Sequence, residues 1–380
     1  MRRPTTSSVL FRAPHYAGAL FCLSLLFSSC GEKEDKTPNW NKEAENATTP
    51  AEPPAPEPTP TPAPAPVPAP EPAPEPNPAP PEANPTPGEE TSGPPAHLRF
   101  LSYNVKNYLT MSRYVAGERT DRKKPEKEIS ALVKIVVAAK PDVLGLCEIG
   151  TLEDLAELQK HLADAGLILE HSEHAGGADD TRRLALLSRL PIVATDSQGA
   201  QGSLTYKSVD ANNNPSEFAM QRGILDVTVQ AGDKQVRFLG VHLKSKREIR
   251  EGHQDLMRRN EAYLLRKHAD HILESAPGTL LCVYGDFNET RRESPVRSIQ
   301  GPSKSDRYLE PLSHKDSRGE VWTHYWDYQH VYSRFDYVLA SRPLRSLFVQ
   351  KLSRIIDDPE WSVASDHRPL LSVFKLEVKP

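Results

Sequence analysis

Short apolar runs closed by a polar residue recur along the chain from about residue 97 onward. Leu98 to Tyr103 ends at Asn104, Asp142 to Cys147 at Glu148, and Val236 to Val241 at His242. The run from Leu280 to Tyr284 closes at Gly285 and delivers Asp286 and Asn288. Phe335 to Ala340 carries Asp336 near its start, and Ser365-Asp366-His367 precedes a last run, Leu370 to Phe374. Runs of this length and composition predict strands. On an extended backbone residues two apart share a side, so Asp286 and Asn288 are expected to point together.

A period near 3.6 appears between these runs. Ile129, Leu132, Val133 and Val136 predict a helix over Pro125–Ala139, with Pro125 in its first turn. Thr151 followed by Asp154 is a capping-box start for a helix through Leu162. Glu251–Leu273 predicts a third helix, with Leu256, Tyr263, Leu264 and Ile272 among its apolar positions. Ala231-Gly232-Asp233 separates two strand-like runs, as in a hairpin. Strands therefore occur both in hairpins and after helices. That argues against a purely parallel sheet and for a mixed α/β sandwich. The polar stretch 196–218 reads as a surface loop. Val321–Trp326 reads as a strand packing on the core, so no clear exposed aromatic hairpin is expected.

The start of the chain follows other rules. Arg2, Arg3 and Arg12 precede an apolar run, Ala17–Phe27, too short to span a bilayer comfortably, then Ser28, Ser29 and Cys30. This reads as a lipoprotein signal peptide over 1–29, with Cys30 becoming the acylated N-terminus. Most of the 36 prolines fall between about Thr48 and Pro95. Such a composition favours polyproline II over a packed core, so 30–96 reads as a disordered spacer. At ~3.1 Å per residue, its roughly 45 proline-rich residues reach about 140 Å at most. Residues 97–380 then read as one domain with a single large core. The net charge of −4 gives no global signature of nucleic-acid binding. Cys147 and Cys282 lie in apolar runs and are expected as buried free thiols.

The polar residues at the strand ends matter as a set. A carboxylate beside a neutral amide can deprotonate a water and hold an anionic oxygen, which suits hydrolysis at phosphorus. The oxygen-rich set, without a His/Cys cluster, favours a hard cation. Seven segments carry a wider pattern: Leu101–Asn104, Pro141–Glu148, Ala185–Ile192, Val241–Leu243, Gly285–Asn288, Arg334–Leu339 and Ser365–His367. In these segments and their order the chain resembles the endonuclease/exonuclease/phosphatase superfamily. That group includes deoxyribonuclease I-like nucleases, abasic-site endonucleases, sphingomyelinases and inositol polyphosphate phosphatases. The resemblance implies a four-layered α/β sandwich of two mixed β-sheets flanked by helices.

It also implies roles. Glu148 would be the main ligand of Mg²⁺ (or Mn²⁺ or Ca²⁺), with Asn104 close by and Asp366 at a position for metal or water. His367, oriented by Asp336, would be general base or phosphate-polarising acid. Asp286 would position or deprotonate the attacking water, and Asn288 would donate to a phosphate oxygen. Arg222 matches a phosphate-contacting position, and Lys244 adds charge beside His242. A His at position 242 is typical of nuclease-, sphingomyelinase- and inositol phosphatase-like members and not of abasic endonucleases. One departure is Cys147, where the family usually has Gln; alternation turns it away from the side Glu148 faces.

Together these readings imply a monomeric, membrane-anchored, metal-dependent phosphoester hydrolase acting on extracellular nucleic acid by in-line water attack. A lipid phosphodiesterase, a phosphomonoesterase and a stalked non-enzymatic binding protein are the alternatives. The expected location is the bacterial cell envelope. Gly31-Glu32 lacks the Asp associated with inner-membrane retention, which points to the outer membrane. Cys30→Ser is predicted to shift the protein from the membrane to the soluble fraction on cell fractionation; continued membrane association would refute lipidation.

Overall fold

The computed structural model describes residues 96–115 and 118–376. The expected signal peptide, Cys30 and the proline-rich segment lie outside these residues, save for Ala96. Among the described residues no helix is long and apolar enough to cross a membrane.

Two six-stranded sheets face each other. The first runs, edge to edge, Arg354–Ile355, Leu370–Lys375, His97–Tyr108, Val143–Ile149, Arg183–Ser188, His171–Ala175. The second runs Glu310–Pro311, Asp336–Ala340, Leu280–Asp286, Lys234–His242, Leu225–Ala231, Ile192–Thr195. Each holds one parallel pair among antiparallel ones: His97–Tyr108 with Val143–Ile149, and Lys234–His242 with Leu280–Asp286. The sheets are therefore mixed, as expected. Phe100, Phe238, Tyr284, Val338 and Phe374 pack between them. The outer face of the first sheet is covered by the helices Glu126–Ala139 and Leu152–Asp164. That of the second is covered by Gln254–Ser275 and Ser294–Gln300. Four layers result.

Tyr284 sets how closely the sheets approach. Its ring is fully buried and meets Phe100 edge-on at 4.8 Å. A Cβ on Gly145 of the facing sheet would lie 2.2 Å from the ring, so only glycine leaves room there. Cys147 and Cys282 are buried and free, and Cys147 faces this inter-sheet layer as alternation predicts.

The helices at 126–139 and 152–164 follow the sequence reading, and Thr151 and Asp154 form both halves of the capping box. Pro125 sits at the N-cap, one position earlier than expected. Three expectations are corrected. First, the polar stretch 196–218 is not simply a loop; Thr205–Val209 and Pro215–Ala219 pair as a hairpin, closed by Asp210 accepting the Asn212 and Asn214 amides. Second, Val321–Trp326 is not a strand buried on the core. His324–Trp326 pairs with Val331–Ser333 as a hairpin whose Trp326, Tyr328 and Tyr332 are exposed. Third, the helix at Gln254–Ser275 forms as expected and buries Ile272, but its apolar stripe is only partly inward. Tyr263 is exposed, and the buried face combines Met257, Leu265 and Ala269 with the charged Arg258, Glu261 and Arg266. A charge can face inward where hydrogen bonds satisfy it, and an apolar-period search passes over such positions.

His314 is fully buried, bonded through Nε2 to Ser372 Oγ at 2.9 Å. Burial, helped by Arg334, pushes its pKa down to about 3. The unfolded chain then binds a proton that the folded chain refuses. The resulting stability is complete above the ordinary histidine value and is lost as pH falls from there towards 3, by up to about 1.4 kcal/mol per pH unit. His314→Gln is predicted to flatten this part of the acid limb in urea titrations across pH 7 to 4. An unchanged slope would contradict it.

Candidate active site

Strand register builds the first half of the site. His242 lies opposite Asp286 in the parallel pair, and Asp286 opposite Asp336 in the next, antiparallel pair. One imidazole and two carboxylates thus stand in one row across the second sheet. Gly285, just before Asp286, has φ +131°, and a Cβ there would lie 1.9 Å from the Val241 carbonyl oxygen. Only glycine lets the strand turn at this point.

The first sheet supplies the other half. Asn104 is not at a strand end but inside His97–Tyr108, beside Cys147 in register. Its oxygen accepts the Lys106 amide at 3.1 Å, which aims its NH₂ across the seam. That group donates to Asp286 Oδ2 at 3.1 Å and Glu148 Oε1 at 3.3 Å. Glu148 has φ +66° and accepts the Asn107 amide at 2.9 Å. Left-handed backbone at Lys106, Asn107, Glu148 and Asn288 concentrates strain around the site.

His367 arrives from the loop before Leu370–Lys375. Ser365 Oγ donates to the Asn104 carbonyl at 2.8 Å and accepts the His367 amide at 3.1 Å. The His367 ring bridges the sheets. Nδ1 meets Asp336 Oδ2 at 2.8 Å, and Nε2 faces Asp286 Oδ2 at 3.7 Å. Burial lowers the His367 pKa, but Asp336 and Asp286 together outweigh it and lift the imidazole to about 10. The same burial raises Asp286 to about 7, with His367 pulling down and Asp336 pushing up. His242 is the opposite case. Burial and the Arg222 charge hold it well below the ordinary value, so it is neutral. Its Nε2 lies 3.5 Å from Asp286 Oδ2 and 3.9 Å from Glu148 Oε1.

Asn288 reaches the site by a route other than alternation. Its φ is +50°, and its amide donates to Asp286 Oδ1 at 2.8 Å, a turn that folds it back beside the aspartate. Its side-chain NH₂ donates to the Leu243 carbonyl at 3.1 Å. Phe287 between them points into the outer core.

Arg222 is nearly buried, with Nη2 3.1 Å from Asp179 Oδ2. Its Nε and Nη1 have no hydrogen-bond partner among the described residues. Lys244 departs from expectation. Its ammonium faces the Ser245 and Arg247 carbonyls at 3.4 and 3.3 Å, and burial beside Arg222 lowers its pKa to about 8. Asp366 stands beside the site, its Oδ1 4.0 Å from His367 Nε2 and its Oδ2 3.8 Å from Lys106 Nζ.

Sequence reasoning missed the residues that hold these loops. Glu261, fully buried on the helix behind the second sheet, accepts the Gln221 amide at 3.0 Å and the Lys244 amide at 2.6 Å. Arg258, one helical turn earlier, donates to the Lys244 carbonyl at 3.0 Å and pairs with Glu289 Oε1 at 2.7 Å. One helix face thus grips the segments bearing Arg222, Lys244 and Asn288. Arg368 does the same for His367. Its guanidinium is buried against Asp316 at 2.9 Å and lies 3.2 Å over the Trp322 ring. The i, i+3 spacing of Arg258 and Glu261 was the available signal, and it reads equally well as a surface ion pair.

The endonuclease/exonuclease/phosphatase family profile matches residues 101–367. The chain belongs to this family. Its fold is accordingly of the phosphoester-hydrolase type. Similar solved structures include the human Nocturnin catalytic domain with bound sulfate, at 17% identity and TM-score 0.49, covering 73% of this chain and 94% of that one. Sphingomyelinase C from Streptomyces griseocarneus is similar at 16% identity and TM-score 0.49, covering 73% and 99%. TDP2 from D. rerio, complexed with single-strand DNA product, is similar at 16% identity and TM-score 0.49, covering 74% and 99%. No curated protein matches by sequence.

Members of the endonuclease/exonuclease/phosphatase family generally use divalent metals, and the donors here fit a hard ion. The Glu148 and Asp286 carboxylates flank the Asn104 NH₂, so carboxylate oxygens dominate. Mg²⁺ keeps several waters and commonly takes only one or two carboxylates, which suits this sparse set. Among the described residues, three metal-ligating side chains gather within 4.8 Å only at Asp196, Asp226 and His268. There Arg237 already bonds Asp226 at 2.7 Å and lies 3.4 Å from Asp196.

Glu261→Gln keeps one acceptor and turns an NH₂ towards the second amide. We predict a stability loss of about 1–3 kcal/mol in urea and weaker competitive inhibition by inorganic phosphate. Lost stability with unchanged phosphate inhibition would leave Glu261 no part in placing Arg222 and Lys244.

Proposed function

We propose that this protein is a divalent-metal-dependent phosphoester hydrolase, a monomer tethered by a lipid on Cys30 and acting on nucleic acid at the bacterial cell envelope, in the outer membrane. The observation that carries the hydrolase reading is the Asp336–His367–Asp286 line across the seam. A carboxylate on Nδ1 fixes the ring and supports its charged form, while Nε2 faces a second carboxylate where a water would sit. Asp286 and His367 lie close enough to titrate as a pair, and the proton of the attacking water goes to that pair. Asn288, Arg222 and neutral His242 stand on the same side, suited to donate to phosphate oxygens as charge builds on them. Lys244 adds its charge from behind the loop.

Glu148, with the Asn104 side-chain amide rotated so that its oxygen replaces the NH₂ that now faces it, would hold Mg²⁺ (or Mn²⁺ or Ca²⁺), which when bound neutralises charge on the phosphoryl group. Asp366, turned to Lys106, would act on this centre through water. The stalked binding protein is the weaker reading, because every catalytic residue type is retained and Asn104, Glu148, Asp286, Asp336 and His367 gather around one seam.

Metal-stripped protein is to be assayed with Mg²⁺ or Mn²⁺ on plasmid DNA, RNA, bis-p-nitrophenyl phosphate and sphingomyelin. Metal-dependent cleavage of the nucleic acids is expected. His367→Ala should lower kcat by about 10²–10⁴-fold with an unchanged circular dichroism spectrum. If every substrate survives both metals, or if His367→Ala keeps full activity, the proposal fails.

A further inference from the structure

The hairpin formed by His324–Trp326 and Val331–Ser333 has two faces with different duties. On one face Tyr325 and Tyr332 stack at 4.6 Å, and Tyr332 packs on Trp322 at 4.7 Å. Trp322 in turn meets Trp361 at 5.2 Å and lies under the Arg368 guanidinium. That face braces the hairpin against the protein. The other face carries His324 and Trp326, paired in register with Ser333 and Val331. The His324 ring lies 4.7 Å from the His367 ring and stacks on Phe335 at 5.2 Å, so this face continues the wall of the catalytic site. Alternation sets Trp326 on the same wall two residues further out, about 6.8 Å along the strand. Trp326 is 42% exposed and Val331 40%. Trp326 also meets the Tyr328 ring at 6.2 Å, so its partly exposed indole belongs to an aromatic cluster on a braced support.

The charges around this wall decide what suits it. Lys106, its side chain 47% exposed, lies beside Asp366 on one side. Lys246, also 47% exposed, pairs with Glu289, a carboxylate shared with Arg258, at 2.8 Å and lies 5.9 Å over the Phe335 ring. Two half-exposed ammonium groups, each beside one carboxylate, thus border an aromatic wall in a chain of negative net charge. Cations for successive phosphates with a flat ring between them match a single nucleic-acid strand, whose bases are free to stack on side chains. A duplex keeps its base faces occupied.

We infer that Trp326, with Val331 behind it, is a stacking subsite for the nucleobase next to the scissile phosphate, and that it selects single-stranded nucleic acid. This rests on the hydrolase reading above. The test compares full-chain enzyme on an oligothymidylate and on the same backbone with abasic tetrahydrofuran units flanking the scissile position, together with sphingomyelin vesicles. Wild type is expected to prefer the base-bearing strand in kcat/KM. Trp326→Ala should cut that preference about 10-fold, mainly through KM, and Trp326→Phe should restore most of it. An undiminished preference in Trp326→Ala overturns the inference. So does loss of vesicle binding or sphingomyelin hydrolysis with the strand preference intact, which would make the hairpin a lipid contact. Absence of all hydrolysis in wild type would instead sink the hydrolase reading.

Discussion

The hydrogen bond from Asn104 to Asp286 joins the two sheets where their strands end in chemistry. Each sheet alone carries half a site. The second aligns His242, Asp286 and Asp336 by register, and the first brings Asn104, Glu148 and, through Ser365, His367. The halves become one centre only if the sheets meet at a fixed separation. Tyr284 standing over Gly145 sets that separation two residues away from Asp286. A one-residue slip in either parallel pair would turn the polar row to the opposite face.

The site is supported from both sides by charges that the apolar core accepts because they are fully bonded. Arg258 and Glu261 hold the loops of Arg222, Lys244 and Asn288 from behind the second sheet. Arg368, paired with Asp316 and covered by Trp322, holds the loop of His367. Removing one member of such a pair leaves a buried charge without its partner, which is costly. These pairs make sense as positional devices, because simple hydrophobic residues could fill the volume without fixing the backbone of a catalytic loop.

The main strands and all three main helices were legible in the sequence, since their apolar periods are clear and Thr151 with Asp154 marks a start; the inward face of Gln254–Ser275 was read only in part. Much of the candidate site was legible because Glu148, His242, Asp286 and Asp336 sit at or near strand ends beside recognisable apolar runs, while Asn104 lies inside its strand. What escaped had specific causes. Asn288 folds back in a left-handed turn, which alternation does not foresee. Glu261 and Arg258 look like solvated helix charges until the loops they hold are seen. Lys244 has the expected address but turns towards loop carbonyls. The aromatic run at 322–332 mixes bracing and outward residues at the same period, so hydropathy alone does not separate them.

The central claim is that the seam between the sheets is a metal-dependent catalytic centre. Mn²⁺ titration of metal-free protein, followed by electron paramagnetic resonance, tests it most directly against the Asp196–Asp226–His268 cluster. The account predicts saturable binding that Glu148→Gln abolishes and Asp226→Asn leaves intact. Binding lost in Asp226→Asn and preserved in Glu148→Gln would contradict it.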